Sequence, residues 1–258
     1  MTGPVCIRHP GRETGVRCTR CDRPACPDCL REASVGYQCV DCVATAARSQ
    51  PRARTVPWSG AAQWSGPTQR LLVVPGLIAI NVAIFAITVA EAASVVNNPV
   101  VRNAASPLFQ QWALRRSAVA DGAWWQPLTA GFLHIGPVHL AINMIALWVI
   151  GRDLEQILGS FRFLVVYLVS LLGGSLAVLL FDPRQTAGAS GAVFGLMGGF
   201  VVVLMKMKLS PRPALTIILL NVVITFAIPG ISRYGHFGGL AFGTAVTAAL
   251  LYAPTRRH

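Results

Sequence analysis

From residue 71 onward the chain alternates long apolar runs with short polar breaks, whereas residues 1–70 hold few such runs. A helix crossing a ~30 Å hydrocarbon core needs about 20 apolar residues, and about 17 suffice. Six segments meet or approach that length: 71–93, 137–151 with the apolar flank before it, 161–181, 188–205, 214–229 and 236–253. The pattern predicts an all-α membrane unit of six transmembrane helices over 71–253. Residues 1–43 read as a small separate domain, 44–70 as a flexible Pro/Arg-rich linker and 254–258 as a cytoplasmic tail.

Composition supports the membrane reading. Hydrophobic residues make up 53% of the chain and charged residues 12%, too apolar for an ordinary soluble domain. The net charge is +12, and all of the 22 basic residues except Lys206 and Lys208 are arginine. A basic chain can point to nucleic acid. Here the basic residues lie beside the apolar segments, where the positive-inside bias accounts for them, so no nucleic-acid partner is expected. The Cys- and Arg-rich start does not read as a cleavable signal peptide. Abundant Arg and Ala point to a GC-rich bacterial genome, and the apolar segments to an integral plasma-membrane protein.

Loop charges set a direction. With the N-terminus inside, the inner loops hold Arg152, Arg162, Lys206, Lys208, Arg212, Arg256 and Arg257, and the Arg-rich linker adds to them. The outer loops hold Arg102, Arg115, Arg116, Arg184 and Arg233. Both termini are therefore expected in the cytoplasm. The second, fourth and sixth segments then run inward, each with polar residues near its start: His139 and Asn143, Ser190, and His236. At ~1.5 Å per residue all four fall in the outer half of the membrane, and a site there would open outward.

Each group has a functional and a bland reading. Gly188-Ala189-Ser190-Gly191 opens a helix. Unpaired amides and partial positive charge at such an end suit a nucleophile and an oxyanion, but small residues also serve helix packing. A histidine side chain has the chemistry of a general base, so His236 reads either as that base or as an interhelical hydrogen-bonding group. No acid in the spans stands out as its orienter, which favours a Ser190–His236 dyad over a triad. Phe194, one turn beyond Ser190, could stack on the imidazole or simply fill the core. His139 and Asn143 share a helix face at i,i+4 and suit either an oxyanion hole or helix–helix contacts. His134 reads as structural. Gly239-x3-Gly243 would let the sixth helix pack closely, against the fourth above all.

The first 42 residues carry Cys6-x2-His9, Cys18-x2-Cys21, Cys26-x2-Cys29 and Cys39-x2-Cys42. Eight ligands at this spacing suit two tetrahedral zinc ions. Seven cysteines cannot all pair as disulfides, and a cytosolic location would keep them reduced. Two structural Zn2+ are expected, without which so small a domain should unfold.

Two resemblances follow. The membrane unit resembles the rhomboid family of intramembrane serine proteases through Trp124-Trp125-Gln126-Pro127-Leu128-Thr129, His134-x4-His139-x3-Asn143, Gly188-x-Ser190-Gly191, and Gly235-His236 followed by Gly239-x3-Gly243. The resemblance implies a six-helix bundle in which Ser190 is the nucleophile and His236 the base. His139, Asn143 and the Ser190 amide would form the oxyanion hole, with no cofactor in the chemistry. It implies transmembrane protein substrates cut in or near a spanning helix. Phe194 stands where the family often has Tyr. The family's long outer loop would map to about 92–126, with Trp112 and Arg115 or Arg116. The N-terminal pattern is similar to B-box zinc fingers. That likeness implies cross-bracing, in which the first and third pairs hold one ion and the second and fourth the other; sequential pairing stays open. The small domain would dock a protein partner, contact lipid or gate the protease. The competing reading is a non-catalytic membrane scaffold that recruits partners through the zinc domain. A transporter lacks support, since the spans carry no carboxylate chain.

Overall fold

The computed structural model describes residues 3–33, 35–49 and 71–253. The chain divides into two compact units, Met1–Gln63 and Trp64–His258.

In the first unit, strands β1 (Val5–Cys6) and β2 (His9–Glu13) form one antiparallel hairpin. Strands β3 (Leu30–Glu32) and β4 (Tyr37–Cys39) form another, and α1 (Val40–Ser49) follows. The interior consists of Cys6, Cys18, Ala25, Cys26, Cys29, Leu30 and Cys39. Five of those seven side chains are thiols. A core that small cannot offset the entropy of ordering the chain without a cross-link or a metal. Helix α1 runs past residue 44, where the linker was expected to begin. The rest of the linker and the expected tail lie outside the described residues.

The second unit is helical. Helix α2 (Val73–Ala92) leads into a connecting segment holding the short helices α3 (Pro107–Trp112), α4 (Arg116–Ala120) and α5 (Gln126–Thr129). Helix α6 (Gly136–Ala146) passes through a π-turn at Leu147–Gly151 into α7 (Arg152–Leu158). Four long helices complete the unit: α8 (Ser160–Phe181), α9 (Ser190–Lys206), α10 (Arg212–Ala227) and α11 (Arg233–Tyr252). The second expected segment thus continues beyond residue 151, where its end was placed, into a charged turn with Asp153 and Glu155. By length and composition α2 and α8 are long and apolar enough to cross a membrane, and the bent pair Gln126–Phe132 with Gly136–Leu158 adds a third if it is one span. Helices α9 and α10 are apolar but shorter. At ~1.5 Å per residue, the 17 residues of α9 reach about 25 Å.

Glu155 fixes the start of α2. Its carboxylate accepts the amides of Leu72, Val73 and Val74 at 3.0, 2.9 and 2.9 Å, and the Ser160 hydroxyl at 2.7 Å. Those amides have no partner inside their own helix, and a carboxylate there is favoured by the helix dipole. Beside this cap the core gathers Leu77, Leu147, Leu154, Phe163, Tyr167 and Leu196.

Helix α11 lies against both α8 and α9, so close that side chains are excluded. A Cβ on Gly239 would stand 2.0 Å from the Gly191 carbonyl oxygen. One on Gly243 would stand 2.4 Å from the Gly195 Cα, and one on Gly174 of α8 2.8 Å from the Gly235 oxygen. The expected contact of Gly239-x3-Gly243 with the fourth segment is present, and α8 joins it. Gly239→Ala should therefore cost about 1–3 kcal/mol through overpacking. Gly76→Ala, where the added Cβ meets nothing within 4 Å, should leave stability within about 0.5 kcal/mol. Equilibrium unfolding of both variants in detergent micelles checks the contrast.

Candidate active site and metal-ligand clusters

Gly188 holds the turn into α9 at φ +134°, a conformation open to glycine and costly for other residues. Its amide donates to the Ala130 carbonyl at 2.9 Å. Ser190 is the first residue of α9. The Val193 amide is the first to reach back, to the Ala189 carbonyl at 3.0 Å. The amides of Ser190, Gly191 and Ala192 thus open the helix without such a partner.

His139 reaches the same turn from α6. A Cβ on Gly188 would sit 2.9 Å from His139 Nε2 and 3.7 Å from Ser190 Oγ, so both atoms face one small space kept clear by glycine. The Ile135 amide donates to His139 Nδ1 at 3.3 Å. An amide can only donate, so in the neutral ring Nε2 carries the proton and presents an N–H beside Ser190. Asn143, one turn on, donates to the His139 carbonyl at 2.9 Å.

His236 enters from α11, one turn after Ser232. The Ser232 hydroxyl accepts the Gly235 amide at 3.3 Å and donates to Asp182 at 2.9 Å. Arg184 grips both carboxylate oxygens of Asp182 at 2.9 Å and holds that carboxyl below its usual range. The His236 ring stacks on Phe194 with centroids 4.1 Å apart and planes at 17°. The Thr225 hydroxyl of α10 lies 2.8 Å from His236 Nδ1.

Ser190, His236, His139, Asn143, Phe194 and Thr225 line one cavity of about 570 Å³. The structure thus brings together all four residues picked from sequence. Ser190 and His236 share the cavity without a hydrogen bond between them; such contacts often tighten only when substrate binds. His134 does not line the cavity. It is buried, its ring edge-on to His139 at 5.1 Å, and its carbonyl accepts from Asn103 at 2.8 Å. Thr225 was missed from sequence, because a threonine in an apolar helix carries no signal without the histidine it meets.

The Trp124–Thr129 stretch secures the segment between α2 and α6. Buried Gln126 accepts the Arg115 amide and donates to the Gln111 carbonyl, each at 3.0 Å. The Thr129 hydroxyl donates to the Trp112 carbonyl at 3.0 Å. Leu114 and Thr186 exchange backbone hydrogen bonds at 2.9 and 3.0 Å, which joins this segment to the loop leading into Ser190.

The Rhomboid domain family matches residues 121–253, just over half of the chain. The chain belongs to the rhomboid family. It is 43% identical over 143 residues to the rhomboid protease GluP of Bacillus subtilis, covering 54% of this chain and 28% of that protein. It is 38% identical over 152 residues to RHOMBOID-like protein 5 of Arabidopsis thaliana, covering 55% and 49%. YdcA of Bacillus subtilis is 31% identical over 147 residues, covering 54% and 74%. The chain thus spans less than half of the first two. The rhomboid match takes in every lining residue described above and leaves the cysteine-rich unit outside it.

In that unit the eight expected ligands fall into two groups, Cys6, His9, Cys26, Cys29 and Cys18, Cys21, Cys39, Cys42, with the ligand atoms of each group within 4.8 Å of one another. His9 Nδ1 lies 3.8, 3.3 and 3.4 Å from the sulfurs of Cys6, Cys26 and Cys29. The Cys21 and Cys39 sulfurs are 3.8 Å apart. That matches the edge of a tetrahedron with ~2.3 Å zinc–sulfur bonds, about 3.8 Å, and far exceeds a disulfide bond. The grouping is the cross-braced one. The Cys26 amide draws the Cys6 thiol down to about 6, and the Cys39 amide does the same for Cys18. Burial pushes Cys29 up to about 11, and the Cys21 side chain pushes Cys42 up to about 12. Four thiolates cannot crowd together without a cation, and a divalent ion removes that conflict. Wild type should bind two zinc ions per chain by elemental analysis. The Cys6→Ala, Cys26→Ala double variant should keep about one and the Cys6→Ala, Cys18→Ala variant none; sequential pairing predicts the reverse.

Proposed function

We propose that this chain is an intramembrane serine endopeptidase that cleaves transmembrane proteins in or near a spanning helix. The observation that carries the reading is the cavity in which Ser190, at an open helix N-terminus, meets His236 on a glycine-packed neighbouring helix. Its relatives named as rhomboid proteases support it.

In this reading Ser190 Oγ attacks the scissile carbonyl while His236 Nε2 takes its proton. The negative oxygen of the tetrahedral intermediate settles among the Ser190 amide, His139 Nε2–H and the Asn143 side chain. His236 returns the proton to the leaving amine, and water hydrolyses the acyl-enzyme by the reverse sequence. A folded helix hides its peptide bonds, so substrates need a segment that unwinds easily. The reading includes six membrane-crossing segments, cytoplasmic termini and a cavity opening outward. The N-terminal unit, held by two zinc ions, lies outside the chemistry and serves to engage a protein partner.

A fluorophosphonate probe tests this without a known substrate. Wild type in lipid bilayers should be labelled, Ser190→Ala should not, and His236→Ala should label at least about 100-fold more slowly. Equal labelling of wild type and Ser190→Ala would defeat the assignment, as would an unlabelled wild type that also leaves a model transmembrane substrate uncut.

A further inference from the structure

His236 has a polar neighbour on a further helix. Thr225 is on α10, a helix that supplies none of the four proposed catalytic groups. It is 5% exposed, and its hydroxyl meets two partners: the Asn221 carbonyl at 2.7 Å and His236 Nδ1 at 2.8 Å. A hydroxyl has one proton to give. Given to the Asn221 carbonyl, an acceptor only, it leaves lone pairs facing the imidazole. Nδ1 must then be the donor.

We propose that Thr225 is the positioning residue of the site, a neutral third member that fixes the His236 tautomer and ring orientation. With the proton on Nδ1, Nε2 is left bare, the only state in which it can take a proton from Ser190. Phe194 stacked at 4.1 Å fixes the plane of the ring, and Thr225 fixes its rotation within that plane. When Nε2 accepts the Ser190 proton, the imidazolium keeps its Nδ1–H bond to Thr225 Oγ1. Thr225 itself gains and loses no proton. The two histidines are set oppositely by one device: the Ile135 amide makes His139 Nδ1 an acceptor and Nε2 a donor, whereas Thr225 makes His236 Nδ1 a donor and Nε2 an acceptor. One ring is prepared to stabilise charge and the other to take a proton.

The catalytic consequence rests on the protease reading; the tautomer does not, and the experiment separates them. Nitrogen-15 NMR of His236, assigned with His236→Ala, reads the tautomer in wild type, Thr225→Ser and Thr225→Val. Fluorophosphonate labelling reads the maximal inactivation rate and the probe affinity of each. Wild type and Thr225→Ser should show a protonated Nδ1 and label within about threefold of each other. Thr225→Val, which matches threonine in shape and lacks the hydroxyl, should show mixed tautomers. Its inactivation rate should fall about 10–100-fold with probe affinity unchanged, short of the full contribution of a general base. A protonated Nε2 in wild type would overturn the proposal, as would an unchanged tautomer and rate in Thr225→Val. A fall shared equally by Thr225→Ser and Thr225→Val would reduce Thr225 to a packing role and overturn it as well. If wild type has a protonated Nδ1 but labels no faster than Ser190→Ala, the protease reading fails and the catalytic role of Thr225 fails with it.

Discussion

The closeness of α9 and α11 is the constraint on which the rest of the site depends. The Gly239 and Gly243 positions leave no room for a single carbon against Gly191 and Gly195. Backbone contact at that range makes the relative position of the two helices nearly rigid, since interiors are packed like crystals rather than liquids. Ser190 precedes the first contacting glycine of α9 by one residue, and His236 precedes the first of α11 by three. The separation of the Ser190 and His236 backbones is therefore set by main chain rather than by flexible side chains. Without a hydrophobic force between helices in lipid, such close packing is a principal means of holding them together.

Around that pair the site is finished by elements that hold no contacting glycine of α9 or α11. Helix α6 brings His139 to the Gly188 turn, α10 brings Thr225 to His236, and the segment between α2 and α6 bonds to Thr186 just ahead of Ser190. The first is a close approach that glycine permits, the second a contact between a hydroxyl and a ring nitrogen, and the third a pair of backbone hydrogen bonds. Polar groups in a low-dielectric setting are costly when unpaired, so such contacts stabilise the site as they position it.

The sequence made much of this legible. Ser190, His236, His139 and Asn143 stand out because polar residues in apolar segments are rare and their spacing is regular. The small-residue pattern at Gly239 and Gly243 forecast close packing. The eight candidate ligands were readable from their paired spacing, but not which pairs come together, since that depends on how the two hairpins fold. Other features were invisible for a physical reason. Thr225 and Glu155 act on partners 11 and more than 80 residues away, and nothing local marks them. The extent of the α6–α7 helix was misjudged because Arg152 reads as the end of a span, whereas the helix carries its charges onward to reach the start of α2.

That last arrangement has a mechanical meaning. The described part of the membrane unit begins at residue 71, and the amides of Leu72, Val73 and Val74 are clasped by Glu155. A pull on Leu72–Val74 would load those three amide–carboxylate bonds. Glu155 belongs to α7, which is continuous through the π-turn with α6 and so with His139 and Asn143. The clasp thus ties the start of α2 to the helix that carries His139 and Asn143, so a shift at one end would be felt at that wall of the cavity.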